Sequence, residues 1–73
     1  MAERLRLVSG REAVKKLRRA GWTPARRRGS HMMLTHPDFR WTLSVPDTRE
    51  LGPGLLRTIL RQAGLSAGQF ISL

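Results

Sequence analysis

The first clear hydrophobic pattern in the chain is helical. Apolar residues recur at helical spacing after Ser9, and the alternating Leu5 and Leu7 before it are expected to pack against the body of the domain. Ser9 and Glu12 fit a capping box, in which each side chain binds a free amide of the first turn. Gly21 provides the left-handed residue that ends a helix. The residues expected on the buried side of this helix are Ala13, Val14, Leu17 and Ala20.

Two strands are predicted next, joined by a turn at Gly29-Ser30. The stretch from Trp22 to Arg28 has the weaker pattern, because Pro24 lacks an amide hydrogen and suits an edge strand. The stretch from His31 to His36 alternates more clearly. Its core side is expected to carry Met32 and Leu34, and the open face of the sheet His31, Met33 and Thr35. A register shift of one residue would bury His31 instead.

A turn at His36-Pro37-Asp38-Phe39 leads to a third predicted strand, from Arg40 to Val45. We expect His36 to point to the core side and to serve the structure. On the third strand, the expected core residues are Trp41, Leu43 and Val45, and the expected open-face residues are Arg40, Thr42 and Ser44. The open face is therefore polar, with hydroxyl groups near an imidazole, which suits a ribose-phosphate backbone.

The last third of the chain predicts a second helix. Pro53 fits its first position, and Gly64 closes it. The apolar stripe of this helix is expected to be Leu55, Leu56, Ile59 and Leu60. Ser66 and Gln69 form a second possible capping box. It would open a final turn that docks Phe70, Ile71 and Leu73.

This order of elements predicts one α+β domain over residues 1–73, with a small C-terminal turn at 66–73 packed on it. The expected arrangement is α-β-β-β-α, with a three-stranded antiparallel sheet and both helices on one face. Double-stranded-RNA-binding domains use this kind of sandwich.

The net charge of the chain predicts a polyanionic partner. The chain has 14 Lys and Arg residues against 5 Asp and Glu, a formal net charge of +9, and most of the basic residues are arginine, which binds phosphate through a planar fork of donors. Nucleic acid is favoured over an anionic membrane, because no basic helix carries bulky aromatic anchors. There is no cysteine and no metal-ligand spacing, so an enzyme of this sequence is expected to need no metal or cofactor. The sequence shows no leader or membrane span, which predicts a soluble, cytoplasmic protein.

The candidate site is the run Arg26-Arg27-Arg28-Gly29-Ser30 and the residue that follows it, His31. Three guanidinium groups can hold a phosphate backbone, and a histidine near them can transfer protons at neutral pH. The first helix is expected to extend this footprint through Lys15, Arg18 and Arg19. Three functions fit these residues: an RNA endonuclease, a non-catalytic module that binds double-stranded RNA, and an adaptor for an acidic protein.

Several short motifs occur in a fixed order along nearly the whole chain. They are Val8-Ser9-Gly10-Arg11-Glu12, Leu17 with Ala20-Gly21-Trp22, Gly29-Ser30-His31, His36-Pro37-Asp38, Val45-Pro46 and the run from Gly54 to Leu65. Together they resemble the HicA family of toxins, also called YcfA-like. The resemblance implies a bacterial or archaeal mRNA interferase of a type II toxin-antitoxin system, with a fold like that of a double-stranded-RNA-binding domain. It also implies a HicB-like antitoxin that occludes the active site.

The resemblance implies that His31 is catalytic, because the family's catalytic histidine is the one in Gly-Ser-His. His36 matches a His-Pro-Asp turn that carries no catalytic role. Many members have a further histidine after Val-Pro, where this chain has Asp47 and Thr48. The expected reaction is attack of a ribose 2′-hydroxyl on its own 3′-phosphate, with His31 as general base or general acid. The second proton-transfer group is left open between Ser30 and water.

Overall fold

The computed structural model describes residues 8–73, so the expectation that Leu5 and Leu7 pack against the body lies outside the described residues. It contains six elements in the order helix, three strands, helix, helix. Their bounds are α1 Gly10–Arg19, β1 Thr23–Arg28, β2 His31–Thr35, β3 Leu43–Pro46, α2 Pro53–Ala63 and α3 Ala67–Ile71.

Helix α1 begins and ends where the sequence predicts. The Ser9 hydroxyl accepts a hydrogen bond from the Glu12 amide at 3.0 Å, and the Glu12 carboxylate accepts one from the Ser9 amide at 3.5 Å, which completes the capping box. Gly21 follows the helix with φ of +99°, a conformation that side-chain-bearing residues rarely adopt. Of the four residues expected on the buried side, Ala13, Val14 and Leu17 are buried, and Ala20 is partly buried against the core.

The three strands form one antiparallel sheet in the order β1-β2-β3, which leaves β1 and β3 at the edges. Pro24 therefore lies on an edge strand, as predicted, and the register shifts between Pro24 and Arg26. Leu34 on β2, with Leu43 and Val45 on β3, packs into the same core as the buried residues of the helices. Burying a leucine of this kind contributes about 2 kcal/mol to folding. The predicted α+β fold with the helices on one face is confirmed.

The third strand is shorter than predicted, because residues 40 and 41 form a bend and pairing begins at Leu43. Arg40 and Thr42 are exposed but lie outside the strand, whereas Ser44 lies within it, opposite Met33. Trp41 was expected in the core and is 52% exposed, so that prediction is wrong. Its indole Nε1 donates instead to the carbonyl of Gln62 near the end of α2, at 2.8 Å. An indole needs a partner for its N–H group, and this carbonyl provides one at the surface.

The C-terminal elements match the predicted boundaries but bury fewer side chains. Helix α2 ends at Gly64, which has φ of +73°. Leu55, predicted in the apolar stripe, is 44% exposed, and Ile71, predicted to dock, is 43% exposed. The buried face of α2 is turned away from Leu55 and includes Ala63. In α3 the second capping box forms and Phe70 is buried, while Leu73 packs at the edge of the core.

Candidate active site

His31 is the first residue of β2 and follows the tight turn that joins it to β1. Gly29 supplies the positive φ of that turn, +58°, and a Cβ atom there would meet nothing within 4 Å. Leu34 is buried and Met32 packs against the core, so alternation along β2 places His31 on the open face of the sheet. His31 is exposed, as predicted, and can be reached by a large substrate.

The register of β1 against β2 divides the arginine run between two faces. Arg28 lies opposite His31, Arg26 opposite Met33, and Arg27 opposite Met32. Residues directly opposite each other in an antiparallel pair project to the same face. Arg26 and Arg28 therefore share the open face with His31, while Arg27 projects toward the helices. The sequence interpretation, which used all three arginines as one phosphate grip, did not anticipate this division.

Arg27 is held by hydrogen bonds within the protein. Its Nη2 atom lies 2.8 Å from Oδ2 of Asp47, and its Nε donates to the Gly29 carbonyl at 3.1 Å. Arg11 at the start of α1 reaches the same carboxylate, with Nε 3.2 Å from Oδ1 and Nη2 3.4 Å from Oδ2. The Asp47 side chain is only 14% exposed, against 52% for Arg27 and 76% for Arg11. Two guanidinium groups therefore meet at one largely covered carboxylate.

Acidification is expected to weaken the fold through Asp47. The hydrogen bonds from Arg27, and then those from Arg11, hold the pKa of this carboxyl group below its ordinary value of 3.8. In acid the unfolded chain takes up this proton first, so the stabilisation is complete above the unfolded-state pKa and is lost as the pH falls through the folded-state pKa. Urea unfolding of the wild type and Asp47→Asn from about pH 6 to about pH 2 measures this, and their difference in stability should shrink toward acid. A difference that stays constant over that range would contradict the assignment.

The basic residues predicted on α1 are exposed and connect to the helix side of the sheet. Lys15 and Arg18 lie four and seven residues after Arg11, so all three share one face of α1. Arg11, at the start of that face, contacts Asp47. Arg19 borders the same face. This basic face of α1 lies on the helix side of the sheet, toward which Arg27 projects, and not on the open face that carries His31. The basic residues predicted to form the footprint therefore lie on two adjoining surfaces.

Ser30 presents its backbone to β3 and its side chain to solvent. The Ser30 carbonyl accepts a hydrogen bond from the Asp47 amide at 2.7 Å, which ties the turn to the residue after β3. Within residues 8–73, the Ser30 hydroxyl has no hydrogen-bond partner. It is therefore free to contact a ligand bound beside His31.

His36 has the structural role expected of it. Its Nε2 lies 3.2 Å from the Ala20 carbonyl, to which it donates, and its Nδ1 accepts from the Asp38 amide at 3.0 Å. The ring packs between Trp22 and Phe39, with centroid distances of 5.1 and 4.9 Å. Both nitrogens are occupied by the backbone, and the side chain is only 12% exposed. His36 is thus committed to joining the end of α1 to the turn after β2.

Sequence reasoning missed Arg11 and Asp47, which lie 36 positions apart. Their meeting depends on a close approach of α1 to the end of β3, which the motif that contains Arg11 does not predict. Within the described part of the chain, no three His, Cys, Asp or Glu side chains come together as a metal site would require. In the same residues, no helix has the length and apolar character to cross a bilayer.

Comparison with known proteins found a family model and a solved structure that are similar to this chain. A family model described as the HicA toxin of bacterial toxin-antitoxin systems matches residues 10–65. Among solved structures, the chain is similar to one from a toxin-antitoxin complex of Streptococcus pneumoniae, at 32% sequence identity and a TM-score of 0.72. That match covers 80% of this chain and 98% of the other. The comparison with curated proteins gave no significant match.

Proposed function

The chain belongs to the HicA toxin family of bacterial toxin-antitoxin systems, and from this we propose that it is an mRNA endoribonuclease in which His31 is the general acid or base. The observation that carries the proposal is the place of His31, exposed on the open face and directly opposite Arg28. An imidazole beside a guanidinium group can move a proton where a phosphate is bound.

The proposed reaction uses the RNA as its own nucleophile and needs no metal. The ribose 2′-oxygen attacks the adjacent phosphorus and loses its proton, and the bond from phosphorus to the 5′-oxygen breaks as that oxygen gains one. The products are a 2′,3′-cyclic phosphate and a 5′-hydroxyl. His31 accepts the first proton or donates the second, which contributes about 100- to 10,000-fold to the rate. Ser30, whose hydroxyl has no hydrogen-bond partner in the described part of the chain, or a water molecule supplies the other transfer.

Arg26 and Arg28 are the proposed phosphate ligands on the open face. Their guanidinium groups share that face with His31, so a phosphate held between them lies within reach of the imidazole. Charge grows on the non-bridging oxygens as the 2′-oxygen attacks, and a fixed guanidinium group stabilises it. The exposed backbone of Gly29 lets the RNA approach the turn closely. Lys15, Arg18 and Arg19 attract the rest of the strand through charge alone.

The proposed protein partner is a HicB-like antitoxin. The similar structure from Streptococcus pneumoniae is a toxin-antitoxin complex, and a toxin active on cellular mRNA must be held in check until it is needed. Covering the open face would hide His31, Arg26 and Arg28 together, which makes occlusion of the active site the proposed mode of inhibition. The proposed place of action is the cytoplasm, where mRNA is found.

Cleavage of RNA in EDTA tests the proposed activity. We expect the antitoxin-free protein to cut a long single-stranded RNA in the presence of EDTA and to leave 2′,3′-cyclic phosphate ends. A substrate with 2′-deoxyribose throughout should remain intact, because it lacks the nucleophile. Electrophoresis and end-specific chemistry read out both results. Intact RNA with protein shown to be folded and RNA-bound would favour the non-catalytic module that binds double-stranded RNA.

A further inference from the structure

Arg27 and Asp47 donate three hydrogen bonds that hold the turn presenting His31. Arg27 donates through Nε to the Gly29 carbonyl and through Nη2 to the Asp47 carboxylate, at 3.1 and 2.8 Å. Asp47 donates its own amide to the Ser30 carbonyl at 2.7 Å. These bonds connect β1 to the Asp47 carboxylate and connect the Asp47 backbone to the turn. We call this set of bonds the Arg27–Asp47 clamp.

The clamp is anchored on the other side by the start of α1. Arg11 donates to both oxygens of Asp47, and the Gly10 amide donates to the Thr48 carbonyl at 2.9 Å. The loop that carries Asp47 is therefore fixed to a capped helix, and the carboxylate is largely covered. Because the carboxylate is held in place, the charge-assisted hydrogen bond of 2.8 Å from Arg27 fixes the orientation of its guanidinium group.

The clamp also fixes the two strands beside His31. Pro46, the last residue of β3, lies opposite His31 in the ladder, and Asp47 follows it directly. The clamp therefore joins the beginning of β2 to the end of β3 at the level of the imidazole. Removing it would leave the exposed turn attached to β3 only through the end of the ladder. Loss of local order at a catalytic group is costly, since a displacement of about 1 Å can reduce a rate roughly 100-fold.

We propose that Arg27 and Asp47 are positioning residues that hold the turn bearing His31, and that Arg27 is not a phosphate ligand. The proposal rests on the proposed function for its kinetic part, since it assigns Arg27 and Asp47 roles in the chemistry of His31. It differs from the sequence interpretation, in which Arg27 joins Arg26 and Arg28 in binding phosphate. The Nε and Nη2 atoms of Arg27 already donate to Gly29 and Asp47, so a phosphate could bind this edge of the guanidinium group only by displacing the carboxylate.

The kinetics of Asp47→Asn distinguish a positioning role of Arg27 from a phosphate-binding role. For a positioning role we expect kcat for RNA cleavage to fall roughly 10- to 100-fold, with KM unchanged or lower. Freeing a masked phosphate ligand would instead lower KM and leave kcat equal or higher. Glu50→Gln is the matched control, because Glu50 lies in the same loop, is exposed, and its carboxylate has no partner within residues 8–73. It removes the same charge and should keep the wild-type kcat.

Arg27→Lys provides the second variant and leaves the fold little disturbed, because Arg27 is half-exposed. Lysine keeps the charge but has no fork to bridge Gly29 and Asp47. We expect kcat to fall as in Asp47→Asn, with the same salt dependence of RNA binding as the wild type. The double variant should lose no more than either single variant, because the two residues act through one structure. Additive losses, or a selective rise in KM, would overturn the proposal.

Amide hydrogen exchange gives a readout that does not depend on cleavage. In the wild type, the Asp47 amide is hydrogen-bonded to Ser30, and we expect its exchange to be slow. Asp47→Asn and Arg27→Lys should speed exchange at position 47 about 10-fold more than at Leu34, whose protection follows the global stability, and should shift the ring resonances of His31. Unchanged exchange at Asp47 and unchanged His31 resonances would overturn the clamp even if the protein cuts RNA. Faster exchange in a protein that cuts nothing would support the clamp and reject only the proposed function.

Discussion

Replacing His31 with alanine is expected to lower the rate of RNA cleavage about 100- to 10,000-fold, the range that a positioned proton-transfer group contributes. The loss should fall on kcat, since Arg26 and Arg28, the proposed phosphate ligands, remain on the same face. The fold should be unaffected, because the side chain is exposed and makes no hydrogen bond within residues 8–73. Single-turnover cleavage with protein in excess measures the chemical step directly.

Thr35→Ala is the control for this variant. Thr35 lies on the same face of β2 at its other end, is exposed, and loses a small polar group without disturbing the core. It should retain wild-type cleavage and the same urea midpoint as His31→Ala. If His31→Ala cuts RNA at the wild-type rate, the imidazole takes no part in the chemistry. If both variants are equally slow, the open face contributes through binding and His31 is a contact residue.

The parts of the fold that follow from local chemistry could be predicted from the sequence. Ser9 with Glu12, and Ser66 with Gln69, satisfy free amides within a single turn, so nothing distant is needed to form the caps of α1 and α3. Gly64 closes α2 for an equally local reason. The alternation along β2 placed His31 on the open face for the same reason, since adjacent residues of a strand point to opposite sides.

The errors concern side chains whose environment depends on distant residues. Trp41 follows the alternation of β3, but the ladder begins only at Leu43, and the indole binds a carbonyl of α2 instead. Leu55 stands next to Leu56 in sequence, yet α2 packs with Leu56 buried and Leu55 exposed. An apolar pattern predicts which side of an element is buried, but the width of the buried face depends on the neighbouring element.

In the candidate site too, the local features could be predicted from the sequence, and the contacts between distant residues could not. The presence of an arginine cluster beside His31 could be predicted from the sequence, but the division of the arginines between two faces required the register of β1 against β2. The pairing of Arg27 with Asp47 also required the path of the chain after β3. A run of three arginines suggests one shared role, although successive residues of a strand face opposite sides. The middle arginine is therefore the one to which our proposal gives a different role from the role that the sequence predicts.

Gly10→Ala is expected to lower the free energy of unfolding by about 2 kcal/mol, within the usual range for forcing extra atoms into a packed site. A Cβ atom on Gly10 would overlap the Pro46 carbonyl oxygen and lie 3.3 Å from Cα of Asp47, both of them backbone atoms that cannot rotate away. Domains of this length have a total stability of about 4 to 11 kcal/mol, so the loss is a large fraction of it. The melting temperature should fall by about 8 to 16 °C.

Gly54→Ala is the control that separates the overlap from the general effect of adding a methyl group to a helix. Gly54 lies in the first turn of α2, is exposed, and a Cβ atom there would meet nothing within 4 Å. This substitution should stabilise the protein by about 0.4 to 1 kcal/mol, because alanine restricts the unfolded chain and favours the helix. Thermal and urea unfolding of both variants therefore should give changes of opposite sign. Stabilisation by both would mean that α1 can move away from Pro46 at little cost, and the approach of Arg11 to Asp47 would then be adjustable and not imposed by the packing of the helix start.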